Sequence, residues 1–203
     1  KQELLVKVSA VSINPVDTKV RKAHDAENGH RVLGWDAVGE VVSTGAEVTE
    51  FKAGDRVYYA GDIIKPGSNS EYQTVDHRIV AKAPSNLEDV QAAAIPLTAL
   101  TAWESLFSRM KLTDKSTGTL LIIGGAGGVG SLAIQLARQL TNLTIIATAS
   151  RHESQQHCLN LGAHHVVSWR NLISNLEEEG FSSVDYILNC NNTDEYWTSM
   201  STL

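Results

Sequence analysis

The sequence predicts an α/β chain in two parts, a β-rich and partly barrel-like part first, then an incomplete doubly wound parallel sheet. Three observations carry this reading. Short apolar–polar alternations broken by glycine turns fill the chain as far as Asn86. After Thr119, strand-like and helix-like patterns alternate, which calls for parallel strands joined by crossover helices and covered on both faces. Between the two textures, residues 119–130 read Thr-Leu-Leu-Ile-Ile-Gly-Gly-Ala-Gly-Gly-Val-Gly, an apolar run that breaks into glycines and then into a helical pattern.

In the first part, Leu4 to Val11 alternates apolar and polar residues, the period of a half-buried strand. Asp36 to Ser43, Asp55 to Tyr59 and Glu71 to Val75 repeat that texture. Thr44-Gly45-Ala46, Ala53-Gly54-Asp55 and Pro66-Gly67-Ser68-Asn69 supply the turns between them. From Asn86 the pattern changes. Ala92-Ala93-Ala94 precedes Pro96, which suits a first helical position, and an apolar-rich segment continues to Leu112. The domains are accordingly expected at 1–93 and 94–203.

The second part has candidate strands at 119–123, 143–148, 164–168 and 184–189, with helices between them and a last helix from about Asp194. The helix from Gly128 to about Thr141 sets Val129, Leu132, Ala133, Leu136, Ala137 and Leu140 along one side. Leu143 to Thr148 then completes a β-α-β unit. A full doubly wound dinucleotide fold uses about six strands, so this sheet is expected to be incomplete. The chain opens on Lys-Gln-Glu without an initiating Met and stops inside the helix after the fourth strand. Further parts of the natural protein are expected beyond both ends.

Gly125, Gly127 and Gly130 stand at G-x-G-x-x-G spacing, with Gly128 and Val129 completing the turn. Glycines there let the backbone turn sharply and approach a pyrophosphate, and the last lets helix and strand pack tightly. The helix start offers free N–H groups and a positive dipole end to phosphates. The motif alone is weak; its place between a strand and a helix makes it a dinucleotide site rather than a structural turn. An NAD-preferring unit carries an Asp or Glu at the end of the second strand to accept bonds from the ribose hydroxyls. Here that strand ends Ala147-Thr148-Ala149-Ser150-Arg151, and the first acid is Glu153, inside the next helix. Arg151 offers a planar cation for a 2′-phosphate and Ser150 a small donor, so NADPH is the expected cofactor. The alternative for Arg151 is a solvated residue at a helix N-terminus, where a cation is unfavourable.

With 203 residues, 42% of them apolar, the chain can bury a substantial core. A net charge of −6 with scattered basic residues argues against a nucleic-acid groove. Cys158 and Cys190 form no disulfide or ligand pattern, which fits a reducing cytoplasm. No membrane-spanning stretch and no signal peptide is visible.

A β domain followed by a glycine-turn β-α-β domain resembles the medium-chain dehydrogenase/reductase superfamily. Ser12-Ile13-Asn14-Pro15-Val16-Asp17, Gly34-Trp35-Asp36-Ala37-Val38-Gly39-Glu40-Val41 and Phe51-Lys52-Ala53-Gly54-Asp55-Arg56-Val57 resemble its N-terminal landmarks. Pro96-Leu97-Thr98-Ala99-Leu100-Thr101-Ala102-Trp103 and the glycine turn extend the match over essentially the whole chain. Within the superfamily the sequence is most similar to the quinone oxidoreductase branch, including proteins often labelled zinc-type alcohol dehydrogenase-like. The resemblance implies a GroES-like β domain, an incomplete Rossmann domain that binds NADPH, and a homodimer in the full-length protein.

The resemblance also frames the question of zinc. Members that oxidise alcohols hold a catalytic Zn²⁺ with a Cys in the first segment, a His beside a Glu in the second, and a Cys before the glycine domain. The matching positions here carry Asn14, Trp35 followed by Asp36, and Leu97. Asn14, Trp35 and Leu97 are not thiolate, imidazole or carboxylate donors. Two cysteines so placed cannot build a four-Cys lobe. The histidines offer no replacement: His164 and His165 precede a strand, and His24 and His30 lie in a polar loop.

Without a Lewis acid an alkoxide loses its main support, whereas a quinone or α,β-unsaturated carbonyl spreads developing charge over a conjugated system. The expected activity is therefore hydride transfer from NADPH to a small-molecule quinone or enone, with no nucleic-acid or membrane partner. The competing readings are a zinc-dependent alcohol dehydrogenase with unusual ligands and a non-catalytic NADPH-binding protein of the crystallin kind. By resemblance, Thr101 packs on the nicotinamide or faces the core, and Asn14 orients the substrate oxygen or simply opens an Asn-Pro turn. Asp17 stands near the site as a hydrogen-bonding residue, Trp35 is an apolar wall or core packing, and Tyr58 or Tyr59 lines the cleft. Cys190, at the end of the fourth strand, is expected near the cofactor ribose.

Overall fold

A computed structural model describes residues 1–23, 30–191 and 193–203. The chain forms two compact units, Lys1–Leu97 and Thr98–Leu203. In the first unit, β1 (Glu3–Ser12) leads into α1 (Pro15–Ala23), and β2 (Asp36–Thr44), β3 (Arg56–Ala60), β4 (Tyr72–Asp76), β5 (Val80–Lys82) and α2 (Asp89–Ala93) follow. The strands are antiparallel in the order β4-β1-β2-β3-β5. β4 and β5 lie at the edges of this sheet, so the unit is β-rich and only partly barrel-like, with no closing ladder among the described residues. Closure needs a ladder between the edge strands, and β5 is three residues long and pairs with β3.

Alternation along the strands sorts two faces. Leu4, Val6, Ala37, Val41, Val57, Tyr59 and Val75 make one buried cluster. Val38 turns to the opposite face, where Ala92 and Ala93 of α2 cover it and Tyr58 packs alongside. Arg56 fixes that cover: its Nε donates to Asp89 Oδ1 at 2.8 Å, and its Nη atoms donate to the Pro84 and Leu87 carbonyls at 2.7 and 2.8 Å. Gly39 lies where β1 and β2 shift register, and a Cβ there would stand 2.2 Å from the Lys7 carbonyl oxygen.

The second unit begins within α3 (Pro96–Trp103), which runs into π-helical turns over Glu104–Arg109. Then come β6 (Thr119–Ile123), α4 (Gly128–Leu140), β7 (Thr144–Thr148), α5 (His152–Asn160), β8 (His165–Val167), α6 (Leu172–Glu178), β9 (Tyr186–Asn189) and α7 (Thr193–Met200). The four strands are parallel in the order β8-β7-β6-β9. Successive residues of β6 feed two cores, Leu120 and Ile122 on one face and Leu121 and Ile123 on the other. That explains its unbroken apolar run. The buried face of α4 differs from the sequence expectation by part of a turn. Gly130, Ala133, Ile134 and Ala137 are buried, Val129, Leu132 and Leu136 are half-buried, and Leu140 is exposed. Among the described residues no helix is long and apolar enough to cross a membrane.

Candidate functional site

Each unit carries a cavity. In the second unit the strand order reverses beside β6, since β7 and β8 lie on one side and β9 on the other. Crevices at strand carboxyl ends next to such a reversal are where doubly wound sheets take ligands. Gly124 opens the turn after β6 in the left-handed region, φ +81°, which suits glycine. The Gly124 N–H donates to Thr148 Oγ1 at 3.0 Å and the Gly125 N–H to the Thr148 carbonyl at 3.1 Å, pinning the turn to the end of β7. Gly127 caps α4 and, with Gly128, is exposed. The first i→i−4 bond of α4 is Ser131 N–H to the Gly127 carbonyl at 2.8 Å, so the amides of Gly128, Val129 and Gly130 precede the helical ladder.

A cavity of about 290 Å³ lies over this turn, bordered by Gly124, Gly127, Ser150, Arg151, Trp169 and Asn191 among others. So Gly127, Ser150 and Arg151 border one cavity. Arg151 precedes α5 with extended backbone and exposed side chain. Glu153 is one of the exposed residues of the first turn of α5 and does not border the cavity. Gly125 and Gly130 sit beneath the turn instead. A Cβ on Gly130 would stand 2.4 Å from the Gly124 carbonyl oxygen, and one on Gly125 would stand 2.7 Å from the Ala147 Cβ. Gly128 faces Thr98 of α3, and Val129 packs on the apolar core.

Cys190 departs from expectation. It donates its N–H to the Ile123 carbonyl at 3.0 Å, packs on the core cluster, and does not border the cavity; Asn191 does. Burial pushes its thiol up to about 11, so it is no thiolate near neutral pH. The sequence reading missed Trp169, which borders the cavity two residues past β8. The strand-end rule that placed Ser150 and Arg151 would have found it. Thr101 is exposed on α3, and its carbonyl accepts from Ser105 Oγ at 2.7 Å.

In the first unit, Pro15 opens α1, which the sequence reading treated as a turn. Asn14 precedes that helix and is buried, as are Asp17 and Asp36. The Asn14 N–H donates to Asp17 Oδ2 at 2.7 Å, and Asn14 Nδ2 donates to Asp36 Oδ2 at 2.8 Å. The Leu97 N–H donates to Asp36 Oδ1 at 2.8 Å. One carboxylate therefore ties together the three segments that carry Asn14, Trp35-Asp36 and Leu97. Burial raises the Asp36 carboxyl to about 6, against the lowering pull of the bonds from Asn14 and Leu97, with the Asp17 charge adding to the rise. Asp17 Oδ1 is buried without a partner.

Beside this network lies an open, largely apolar cavity of about 380 Å³, walled by Val16, Trp35, Ile63, Ile79 and Leu97, with Asp62 at its border. Trp35 is buried to 5% exposure and forms part of that wall. Neither Asn14 nor Asp17 borders the cavity. Tyr58 does not line the cavity: alternation along β3 turns it to the α2 side. Tyr59, on the other face, is buried and donates its hydroxyl to Gln73 Oε1 at 2.9 Å.

Among the described residues, no group of three or more His, Cys, Asp or Glu is placed to hold a metal ion. His164 accepts from the Ile145 N–H through Nδ1 at 2.9 Å and His165 meets Glu179 at 3.0 Å, both beside the edge strand β8. His30 is exposed, and His24 lies outside the described residues.

Comparison with known proteins follows the two units. Residues 1–85 match the alcohol dehydrogenase GroES-like domain, and residues 128–203 match the zinc-binding dehydrogenase family. A zinc-type alcohol dehydrogenase-like protein of Staphylococcus aureus is 43% identical over 203 residues, 98% of this chain and 60% of its own length. A 2-methylene-furan-3-one reductase of Solanum lycopersicum is 39% identical over 175 residues, 80% of this chain and 44% of its own. The crystal structure of Escherichia coli quinone oxidoreductase complexed with NADPH superposes with a TM-score of 0.84 at 30% identity, covering all of this chain and 62% of that one. The chain thus spans about 60% of the length of the S. aureus relative. With both domains matched in order, it belongs to the medium-chain dehydrogenase/reductase superfamily of oxidoreductases.

Proposed function

We propose that the protein is an NADPH-dependent, zinc-independent reductase that passes hydride to a quinone or an α,β-unsaturated carbonyl. The observation that carries this reading is the Asn14–Asp36–Leu97 network. At the three positions where alcohol-oxidising members hold zinc, this chain has an amide, an indole and an isobutyl group. Those groups do not fit the ion, and the amide is hydrogen-bonded to the one nearby carboxylate, Asp36. Among similar proteins, one is named a quinone oxidoreductase and another a 2-methylene-furan-3-one reductase.

The glycine cradle fits a dinucleotide. Gly127 and Gly128 are exposed and carry no side chains, and the helix start favours a pyrophosphate. Bound NADPH supplies a hydride from nicotinamide C4. Arg151 and Ser150 hold the 2′-phosphate, in a strand end that has no acid to repel it. The apolar wall of Val16, Trp35, Ile79 and Leu97 gives the flat acceptor a face to pack on, and conjugation in the acceptor spreads the charge that zinc would otherwise stabilise. Asn14 Nδ2 is directed at Asp36, with Ser12 O a long 3.5 Å away, so Asn14 acts as a positioning residue for that network. The acceptor takes its proton from solvent or a nearby hydroxyl.

The test is NADPH oxidation by the intact protein against a panel of quinones and enones, before and after treatment with a strong chelator. Turnover unaffected by chelation is the expected result. Turnover that needs one tightly held zinc per chain would replace this reading by an alcohol dehydrogenase with unusual ligands. NADPH binding with no turnover on any acceptor would replace it by a non-catalytic binder.

Cofactor choice has its own readout. Arg151→Ala is expected to weaken NADPH by about 1–3 kcal/mol, the usual worth of a charge-assisted contact, and to leave NADH little changed. Titration calorimetry with both nucleotides decides it, and equal losses for the two would remove Arg151 from the 2′-phosphate site.

A further inference from the structure

We infer that the acceptor carries an amide-bearing arm, which extends from the apolar cavity into a second, polar cavity beside the edge strand β4. The inference rests on the hydride-transfer reading above and adds which acceptors the site prefers. Its geometric basis is a shared wall. Asp62 and Ile79, which border the apolar cavity of about 380 Å³, also border a second cavity of about 240 Å³. Glu3, Lys65, Thr74 and Arg78 are among the other residues around that second cavity, so a ring held in the first has polar groups within reach of a side arm.

The backbone of β4 supplies a matching edge. β4 lies at the margin of its sheet and pairs with β1. The Val8 N–H donates to the Glu71 carbonyl at 2.9 Å and the His77 N–H to the Gln2 carbonyl at 3.0 Å. Antiparallel alternation then turns Gln73 and Val75 toward β1 as well, and leaves the N–H and C=O of Thr74 facing outward. The side chains disfavour other kinds of arm. Lys65 and Glu3 make no ion pair among the described residues, and Asp62 adds a second acid. Asp76 is taken up by Arg78, whose Nε donates to its two carboxylate oxygens at 2.9 and 3.1 Å. An anionic arm therefore meets Glu3 and Asp62, and a cationic one meets Lys65 and Arg78. An alkyl arm strips water from all four and returns no hydrogen bond. A secondary amide brings one N–H and one C=O, which suit both signs of charge and the Thr74 edge alike. Gln73 offers no competing amide, since its Oε1 accepts from Tyr59 and its Nε2 donates to the Pro66 carbonyl, each at 2.9 Å.

The test is steady-state NADPH oxidation by the intact protein with one 1,4-benzoquinone bearing four arms of equal length. The arms end in an N-methylamide, a carboxylate, a quaternary ammonium or an alkyl group, and the unsubstituted quinone is the reference. The amide is expected to have a KM about tenfold below that of the alkyl arm, with kcat little changed. Thr74→Pro removes an N–H that makes no ladder bond, a change edge strands accept. It is expected to raise KM for the amide-armed quinone several-fold and to leave the unsubstituted quinone unaffected. If Thr74→Pro does not fold, the wild-type series decides alone. An amide arm no better than the alkyl arm, or a charged arm better than both, overturns the inference, while turnover of the unsubstituted quinone leaves the hydride-transfer reading standing. A wild type that reduces none of these quinones and no enone overturns both.

Discussion

Gly130→Ala is expected to abolish NADPH binding and to destabilise the second unit by about 3 kcal/mol, although alanine is ordinarily the better helix former. The two effects oppose each other, and their sizes decide the sign. Removing a glycine from a helix interior gains about 1 kcal/mol. Against that, the new methyl carbon would stand 2.4 Å from the Gly124 carbonyl oxygen and 2.8 Å from the Gly125 Cα. Both neighbours are backbone atoms of a turn pinned at Thr148, so they cannot rotate away as a side chain would. The helix must lift off β6, and the amides that would face a pyrophosphate move with it. Gly127→Ala is the control. There a Cβ comes no closer than 3.3 Å to the Gly124 oxygen, the residue is exposed, and its φ of −76° suits any residue. Stability should change by less than about 1 kcal/mol while the added methyl obstructs the phosphate. Urea unfolding and nucleotide titration of the two variants separate the roles. A Gly130→Ala protein as stable as the wild type would show that the turn tolerates the methyl and that Gly130 is not needed for close packing.

The glycine cradle was legible because its physics is local. Strand, turn and helix start follow one another within residues 119–130, and the second strand end lies a fixed interval further on. What escaped was set by distance in sequence or by weak pattern. β5, Val80-Ala81-Lys82, is too short to show alternation. α1 hid behind Asn14-Pro15, which reads equally as a turn or, as the structure has it, a helix opening with Pro at its first position. The buried face of α4 reaches Ile134 because its apolar arc is wide: Ser131, Gln135, Arg138 and Gln139 fill one side, and within the rest periodicity does not say which edge meets the sheet. The resemblance aligned Asn14, Asp36 and Leu97 as positions, but nothing in a linear sequence says that Asp36 accepts from both a side chain 22 residues away and a backbone amide 61 residues away. Alternation along β3 sends Tyr58 and Tyr59 to opposite faces, yet alternation alone does not say on which side the cavity lies.

Asp36→Asn is expected to stabilise the protein at pH 8 and to leave its stability nearly unchanged at pH 4. Asp36 is fully buried, and burial outweighs its two hydrogen bonds, so its carboxyl titrates near 6 in place of the ordinary 3.8. The folded protein therefore binds the proton more tightly than the unfolded chain does. Stability associated with this group is greatest below about pH 4 and is lost as pH rises through 6. A rise of that size corresponds to at most about 3 kcal/mol at pH 8, and relaxation around the charge brings the expected figure to about 1–3 kcal/mol. Asparagine keeps an acceptor for the Leu97 amide, and the Asn14 side chain can turn its own oxygen toward the new NH₂ group. Other carboxylates slope the opposite way. Asp76, held low by Arg78, and Asp185, held low by Thr119, contribute stability that disappears as pH falls. The raw pH profile of the wild type thus mixes both signs, and the difference between variant and wild type isolates Asp36. Urea unfolding of both proteins from pH 4 to pH 8 measures that difference directly. If it stays constant across the range, Asp36 is ionised with an ordinary carboxyl pKa, and the Asn14–Asp36–Leu97 network holds a solvated charge rather than a buried one.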